Sequence, residues 1–194
     1  MAKQETKILG IDFNAPVILG LTLISFVVLI MSEVFGINVK DTLAVYYTSW
    51  KDPFMYMRLF THVMVHADFA HFTGNFMLIL AVGAMVEEKY GSSRLFIMVA
   101  VTAFVTGLIN VIFFKNVMLM GASGIVFMLI LIASFVNIRG GHIPLTVLLV
   151  AALYIGNEVV SGLFSADNIS QMSHIIGGIC GGVFGFVLRV KDKS

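Results

Sequence analysis

The chain has 194 residues and a mass of 21.2 kDa, room for one ordinary domain. Hydrophobic residues make up 59% of it and charged residues only 12%. A soluble domain carries roughly 25% charge, so a water-covered surface is excluded and an integral membrane protein remains. Twelve Lys and Arg against eleven Asp and Glu give no basic face for nucleic acid. The single cysteine, Cys180, excludes an intrachain disulfide framework and Cys-based metal sites.

The gaps between charges set the elements. Uncharged runs cover 13–32, 69–86, 95–114, 116–138, 140–157 and 168–188. About 20 apolar residues cross the hydrocarbon core as a helix, and none of the runs has the alternating pattern of barrel strands. The expectation is an all-α membrane protein, one domain over 1–194, with six transmembrane helices at about 13–35, 69–88, 94–114, 122–138, 142–162 and 170–189. No cleavable leader is expected, because the first span is long and lacks a small-residue cleavage site.

Between the first two spans lies the one sizeable loop, 38–68. Tyr46, Tyr47, Trp50, Phe54, Tyr56 and Phe60 crowd into it, and such aromatics favour the membrane–water boundary. The loop is expected to lie on, or dip into, the outer interface. Eight Lys and Arg fall on one side of the spans, at 3, 7, 89, 94, 139, 189, 191 and 193, and four on the other, at 40, 51, 58 and 115. By the positive-inside bias both termini are cytoplasmic, so spans two, four and six run inward from the outer face.

Polar side chains inside spans are costly and invite a functional question. Span two carries His71 and Asn75, spaced i,i+4 and so on one face. Span four opens with Gly121-Ala122-Ser123-Gly124, and span six carries His174 followed by glycines 177, 178, 181, 182 and 185. At ~1.5 Å rise per residue, His71, Ser123 and His174 all fall within roughly 10 Å of the outer boundary.

A serine hydroxyl becomes nucleophilic when a neighbouring base takes its proton, and imidazole suits that task. Ser123 and His174 supply such a pair. A helix start at Ser123 aims unsatisfied N–H groups and the positive end of the helix dipole at a developing oxyanion, to which His71 and Asn75 add side-chain donors. The small-xxx-small steps at Gly177, Gly181 and Gly185 permit the close helix contact that brings His174 to Ser123. Each feature alone has a plainer reading: serine as a helix cap, glycines as a packing stripe, histidine as a satisfied structural residue. Their convergence at one depth favours chemistry.

With these residues in view the sequence resembles the rhomboid family of intramembrane serine proteases, in its compact bacterial six-helix form. The likeness covers about 57–188. It rests on Arg58, on His62-x3-His66-x4-His71-x3-Asn75, on Glu87 with Gly91-Ser92, on Gly121-Ala122-Ser123-Gly124, and on Ser173-His174-x2-Gly177. The resemblance implies a rhomboid-like bundle with Ser123 as nucleophile and His174 as general base and acid, without a carboxylate. It implies His71, Asn75 and the Ser123 N–H as the oxyanion site. Arg58, His62, His66, Glu87, Gly121 and Gly124 become structural supports. It further implies single-span or multi-span membrane proteins as substrates, entering from the side near spans two and five, with the loop between spans five and six as a cap. A bacterial inner membrane is the implied location; no cofactor or metal is expected. Two positions depart from the family: Met57 precedes Arg58 where Trp is usual, and Ser173 replaces a common alanine.

Other readings compete. His62, His66 and His71 are close in sequence, but HExxH is absent and only Asp68 offers a carboxylate beside them, which disfavours zinc catalysis. Paired intramembrane aspartates are lacking, so an aspartyl protease is excluded. A small transporter places its polar groups near the midplane, not near the outer face. A non-catalytic rhomboid-like scaffold is disfavoured by the presence of both Ser123 and His174. Glu158, beside Asn157 at the outer end of span five, is expected to face water or the cap, with substrate gating as a weaker reading. Asn110 and Asn137 read as helix–helix hydrogen bonds or boundary residues.

Overall fold

A computed structural model of the chain describes residues 13–135 and 168–188, and between them Leu145, Leu149, Ala152 and Leu153. Apart from those four residues the expected fifth span, with Asn157 and Glu158, lies outside the described residues, as does Asn137.

Helix α1 (Pro16–Glu33) is apolar throughout and starts with proline at its first turn, where the missing N–H costs nothing. Its N-cap, Ala15, has no side chain to offer. The Glu87 carboxylate takes that role, accepting from the Val17 and Ile18 amides at 3.0 Å each. Helix α2 (Lys40–Leu43) and α3 (Pro53–Thr61) form the long loop. Asp52 caps α3 by accepting from the Phe54 amide at 2.9 Å, and a 3-10 turn, His62–Met64, follows.

Helix α4 (Phe69–Leu78) is capped by Asp68, which accepts from the His71 amide at 2.7 Å. A π-helical turn, Ile79–Gly83, joins it to α5 (Ala84–Tyr90). Expected as one regular helix, the segment thus carries a bulge of the kind found near functional sites, four residues beyond Asn75. Gly91 adopts φ +84°, a conformation disfavoured for L side chains, and turns the chain into α6 (Ser92–Phe113). Helices α7 (Ser123–Phe135) and α8 (Asn168–Val187) complete the described elements.

Three helical stretches among the described residues, Pro16–Glu33, Phe69–Tyr90 and Ser92–Phe113, are long and apolar enough to cross a membrane. The described parts of α7 and α8 are shorter apolar helices. No strand occurs among the described residues; the nearest thing is an isolated antiparallel bridge between Val45 and Leu119.

Helix α7 is apolar all round, as a central helix must be, and Ile125, Met128, Leu129 and Ile132 on it are fully buried. Among the described elements its closest neighbour is α8, through glycine. A Cβ on Gly177 would run into the Gly124 carbonyl oxygen, one on Gly181 into the Met128 carbonyl oxygen, and one on Gly185 into the Phe135 ring. Backbones approach this closely only where side chains are absent.

The long loop packs on α6 in the same manner. A Cβ on Gly107 would stand 3.1 Å from the Leu59 backbone. Buried Met55 and Leu59 join Val45, Val111 and Leu119 in a small core. Asn110 donates to the Val45 carbonyl at 3.3 Å and the Val117 carbonyl at 3.0 Å, tying α6 to two loops rather than to a helix. Arg58 donates from Nε to the Thr42 carbonyl at 3.2 Å, lies 4.5 Å over the Tyr46 ring and stands 3.6 Å from the Asp52 carboxylate. Trp50, Phe54, Tyr56 and Phe60 project outward from this framework.

Candidate active site

Ser123 is the first residue of α7, at the end of the segment 114–122 that the Val45–Leu119 bridge anchors. The turn before it is held from three sides. The Gly121 amide donates to the His62 carbonyl at 3.0 Å. The Ala122 amide donates to Nε2 of His66 at 3.3 Å. Gly121 itself adopts φ +113°, and a Cβ there would lie 2.7 Å from the His71 ring, so conformation and space both require glycine.

Both supporting histidines are neutral. Burial drives the His62 imidazole down to about 4, against hydrogen bonds to the Arg58 and Leu59 carbonyls that pull the other way. Burial, then repulsion from His71, brings His66 to about 4 as well. Neutrality fixes the tautomers. Nδ1 of His62 lies 3.2 Å from the Arg58 carbonyl oxygen, which only accepts, so Nδ1 carries the proton. Nε2 is then bare and lies 3.3 Å from the Thr106 hydroxyl, whose single proton it shares with the Thr102 carbonyl at 2.8 Å. In His66 the bond from Ala122 makes Nε2 the bare nitrogen.

His71 follows the opposite pattern. Its Nδ1 accepts from the Ala67 amide at 3.4 Å, which leaves the proton of a neutral ring on Nε2, the atom beside Gly121. Asn75, one turn further along α4, is 7% exposed, and its Nδ2 is a buried donor without a partner. That nitrogen lies 3.7 Å from where a Gly121 Cβ would stand. Two N–H donors therefore converge under the turn that precedes Ser123.

His174 comes from α8. Its ring stacks on Phe127 of α7, with centroids 4.1 Å apart and planes 11° from parallel. Phe127 is i+4 from Ser123 and so on the same face. His174 is also within electrostatic reach of His71. The carbonyl of the preceding residue, buried Ser173, packs 3.3 Å from a Cβ built on Gly124. Ser123, His71, Asn75 and His174 thus occupy one end of the bundle. Glu87 lies at the other end, capping α1, and Arg58 within the long loop.

The roles of three residues escaped the sequence reading. Phe127 had a usable signal in its i+4 spacing from Ser123, and Asp68 in its N-cap spacing to His71. Thr106, which satisfies His62, had none, because its partner is 44 residues away.

The Rhomboid domain family matches residues 53–191. The chain is 28% identical over 181 residues to the rhomboid protease GlpG of Serratia proteamaculans, covering 88% of this chain and 62% of that one. It is 32% identical over 127 residues to the rhomboid protease GluP of Bacillus subtilis, covering 66% and 25%. It is 26% identical over 141 residues to RHOMBOID-like protein 4 of Arabidopsis thaliana, covering 69% and 34%. The chain spans less than two thirds of the length of each of these curated relatives.

Proposed function

The chain belongs to the rhomboid family, and on that premise we propose that it is an intramembrane serine endopeptidase working through a Ser123–His174 dyad. It is an integral membrane protein; six spans with both termini cytoplasmic, in a bacterial inner membrane, complete the reading. The observation that carries it is the contact of α8 on α7 at Gly177 and Gly124. It sets His174 over Phe127 on the face of α7 that begins with Ser123, while His71 and Asn75 present donors at the adjoining turn.

In this mechanism the imidazole of His174 takes the Ser123 hydroxyl proton as the oxygen attacks a substrate carbonyl. Negative charge develops on the carbonyl oxygen. The Ser123 amide at the helix start, Nδ2 of Asn75 and Nε2–H of His71 are the donors available to it. An unpartnered buried donor such as Asn75 has no bond to break before it serves. Collapse expels the amine, which receives the proton from His174, and water repeats the sequence to free the acyl group. The substrates are other membrane proteins, cut in or near a transmembrane helix, and the bilayer is the medium of the encounter. His62, His66, Gly121 and Gly124 hold the nucleophile turn; Arg58 and Glu87 hold the loop and the first helix.

The test is cleavage of a single-span substrate, with helix-weakening residues near its outer end, by the purified protein and its Ser123→Ala and His174→Ala variants. Cleavage by the wild type and loss in both variants is expected. A folded wild type that cuts no substrate in a panel and does not react with a fluorophosphonate would make the chain a non-catalytic rhomboid relative.

A further inference from the structure

A cavity of about 1030 Å³ opens on the side of the bundle between α1 and α6, away from Ser123. Pro16, Gly20 and Ile24 give one wall and Ser92, Phe96 and Ala103 the other; Phe60, Val63 and Met64 close its far end. Gly20 faces emptiness: a Cβ there meets nothing within 4 Å. Its lining is apolar except at one end, where Ser92 and Ser93 enter it.

That polar end is also the start of α6, whose first amides no side chain caps, so it attracts negative charge. Arg94 is exposed and makes no hydrogen bond or ion pair among the described residues. It stands i,i+3 from Ile97, a groove residue, and so shares its face. Helical side chains lean toward the N-terminus, which carries the guanidinium to the mouth of the groove.

Length and charge favour a lipid. From Ser92 to Ala103 the groove follows α6 for about 17 Å at ~1.5 Å per residue. That is close to the ~15 Å depth of one leaflet, half of a ~30 Å core. We infer that the groove is a phospholipid site, with acyl chains between α1 and α6 and the phosphate at Ser92, Ser93 and Arg94. The chain ends reach Val63 and Met64, in the turn between the two histidines that hold the Ser123 loop, so the lipid braces that turn.

The test is photo-crosslinking with a phosphatidylglycerol bearing a diazirine in one acyl chain, in nanodiscs. Crosslinks are mapped on wild type, Gly20→Phe and Arg94→Glu, with thermal unfolding as the control for folding. Crosslinks concentrated at Ile24, Phe96 and Ile97 are expected in the wild type, falling about tenfold in Gly20→Phe, which fills the groove. Arg94→Glu is expected to weaken labelling severalfold, while phosphatidylglycerol without the probe competes it away. Labelling spread evenly over outward residues such as Met77 and Phe113, or unchanged in a folded Gly20→Phe, would overturn the site. So would labelling of the groove by a photoreactive single-span peptide that phospholipid fails to displace.

Discussion

The rings of Phe127 and His174 lie nearly parallel, 4.1 Å apart, so the residue one turn below Ser123 sets the plane of the imidazole. An aromatic pair of this kind contributes about 0.5–1.5 kcal/mol. Its larger effect is on orientation, since the proposed base must keep its ring within hydrogen-bond reach of Ser123 to act on it. Phe127→Ala is expected to lower turnover about tenfold or more, with a modest loss of thermal stability. Phe127→Tyr, which keeps the ring, should retain most activity. Equal turnover in Phe127→Ala and wild type would show that the stack does not orient His174.

Asn75 presents a different test, because its Nδ2 is buried and unpartnered. Asn75→Ala removes a donor that satisfies nothing in the resting protein, so stability should hold or rise slightly. Removing one oxyanion donor typically lowers turnover by about 10²–10³. Steady-state cleavage of a single-span substrate measures this. A fall in kcat with KM little changed is expected; wild-type kcat would remove Asn75 from the oxyanion site.

The glycines of α8 divide into two classes. A Cβ on Gly181 would strike the Met128 carbonyl oxygen, whereas one on Gly182 meets nothing within 4 Å. Gly181→Ala should therefore force α8 off α7, lowering the melting temperature and activity together. Gly182→Ala should be neutral, or stabilising by up to about 1 kcal/mol through helix propensity. Thermal melts of the two variants in one detergent check the contrast, and equal effects would contradict the packing described.

Much of the site was legible because it rests on local spacing. His71 and Asn75 share a face by the i,i+4 rule, and Ser123 opens its helix after a glycine turn, as the sequence suggests. The glycine stripe at Gly177, Gly181 and Gly185 announces a close contact, though not its partner. What was hidden depends on long-range contacts. Glu87 reads equally as an acceptor for donors of a neighbouring segment or as an interface anchor, and only the fold identifies the donor as the Val17 amide of α1, 70 residues away. The π-helical turn at Ile79–Gly83 leaves no mark in an apolar run, and the tautomers of His62, His66 and His71 follow from backbone groups that only the fold brings near.

The cap at Glu87 is itself open to measurement. Its carboxylate is 2% exposed and receives two backbone N–H groups at 3.0 Å, at a helix start that favours negative charge. Glu87→Ala leaves those amides buried without partners, a cost of about 1–3 kcal/mol each. Glu87→Gln keeps one acceptor and should cost less. Because Glu87 and Ser123 lie at opposite ends of the bundle, turnover at low temperature should survive while the melting temperature falls. Loss of turnover in a fully folded Glu87→Gln would give Glu87 a role beyond the cap.

Acid should weaken the fold through His62 and His66. Both are held by burial at about 4, below the 6.5 of an exposed histidine. Between those values the unfolded chain binds protons that the folded chain refuses, so stability rises with pH across this window and falls on acidification. The stabilisation is fully present above about 6.5 and is lost progressively as the pH drops toward about 4. Each histidine contributes up to about 1.4 kcal/mol per pH unit there. Melting temperatures measured across the window should decline steeply for the wild type and less steeply for His62→Gln, which removes one titrating group while keeping a donor and an acceptor. Activity should be lost wherever the fold is, since the Ser123 turn hangs on the His62 carbonyl and on Nε2 of His66. A melting temperature independent of pH across this window would mean that the two rings are not buried neutral in the folded protein.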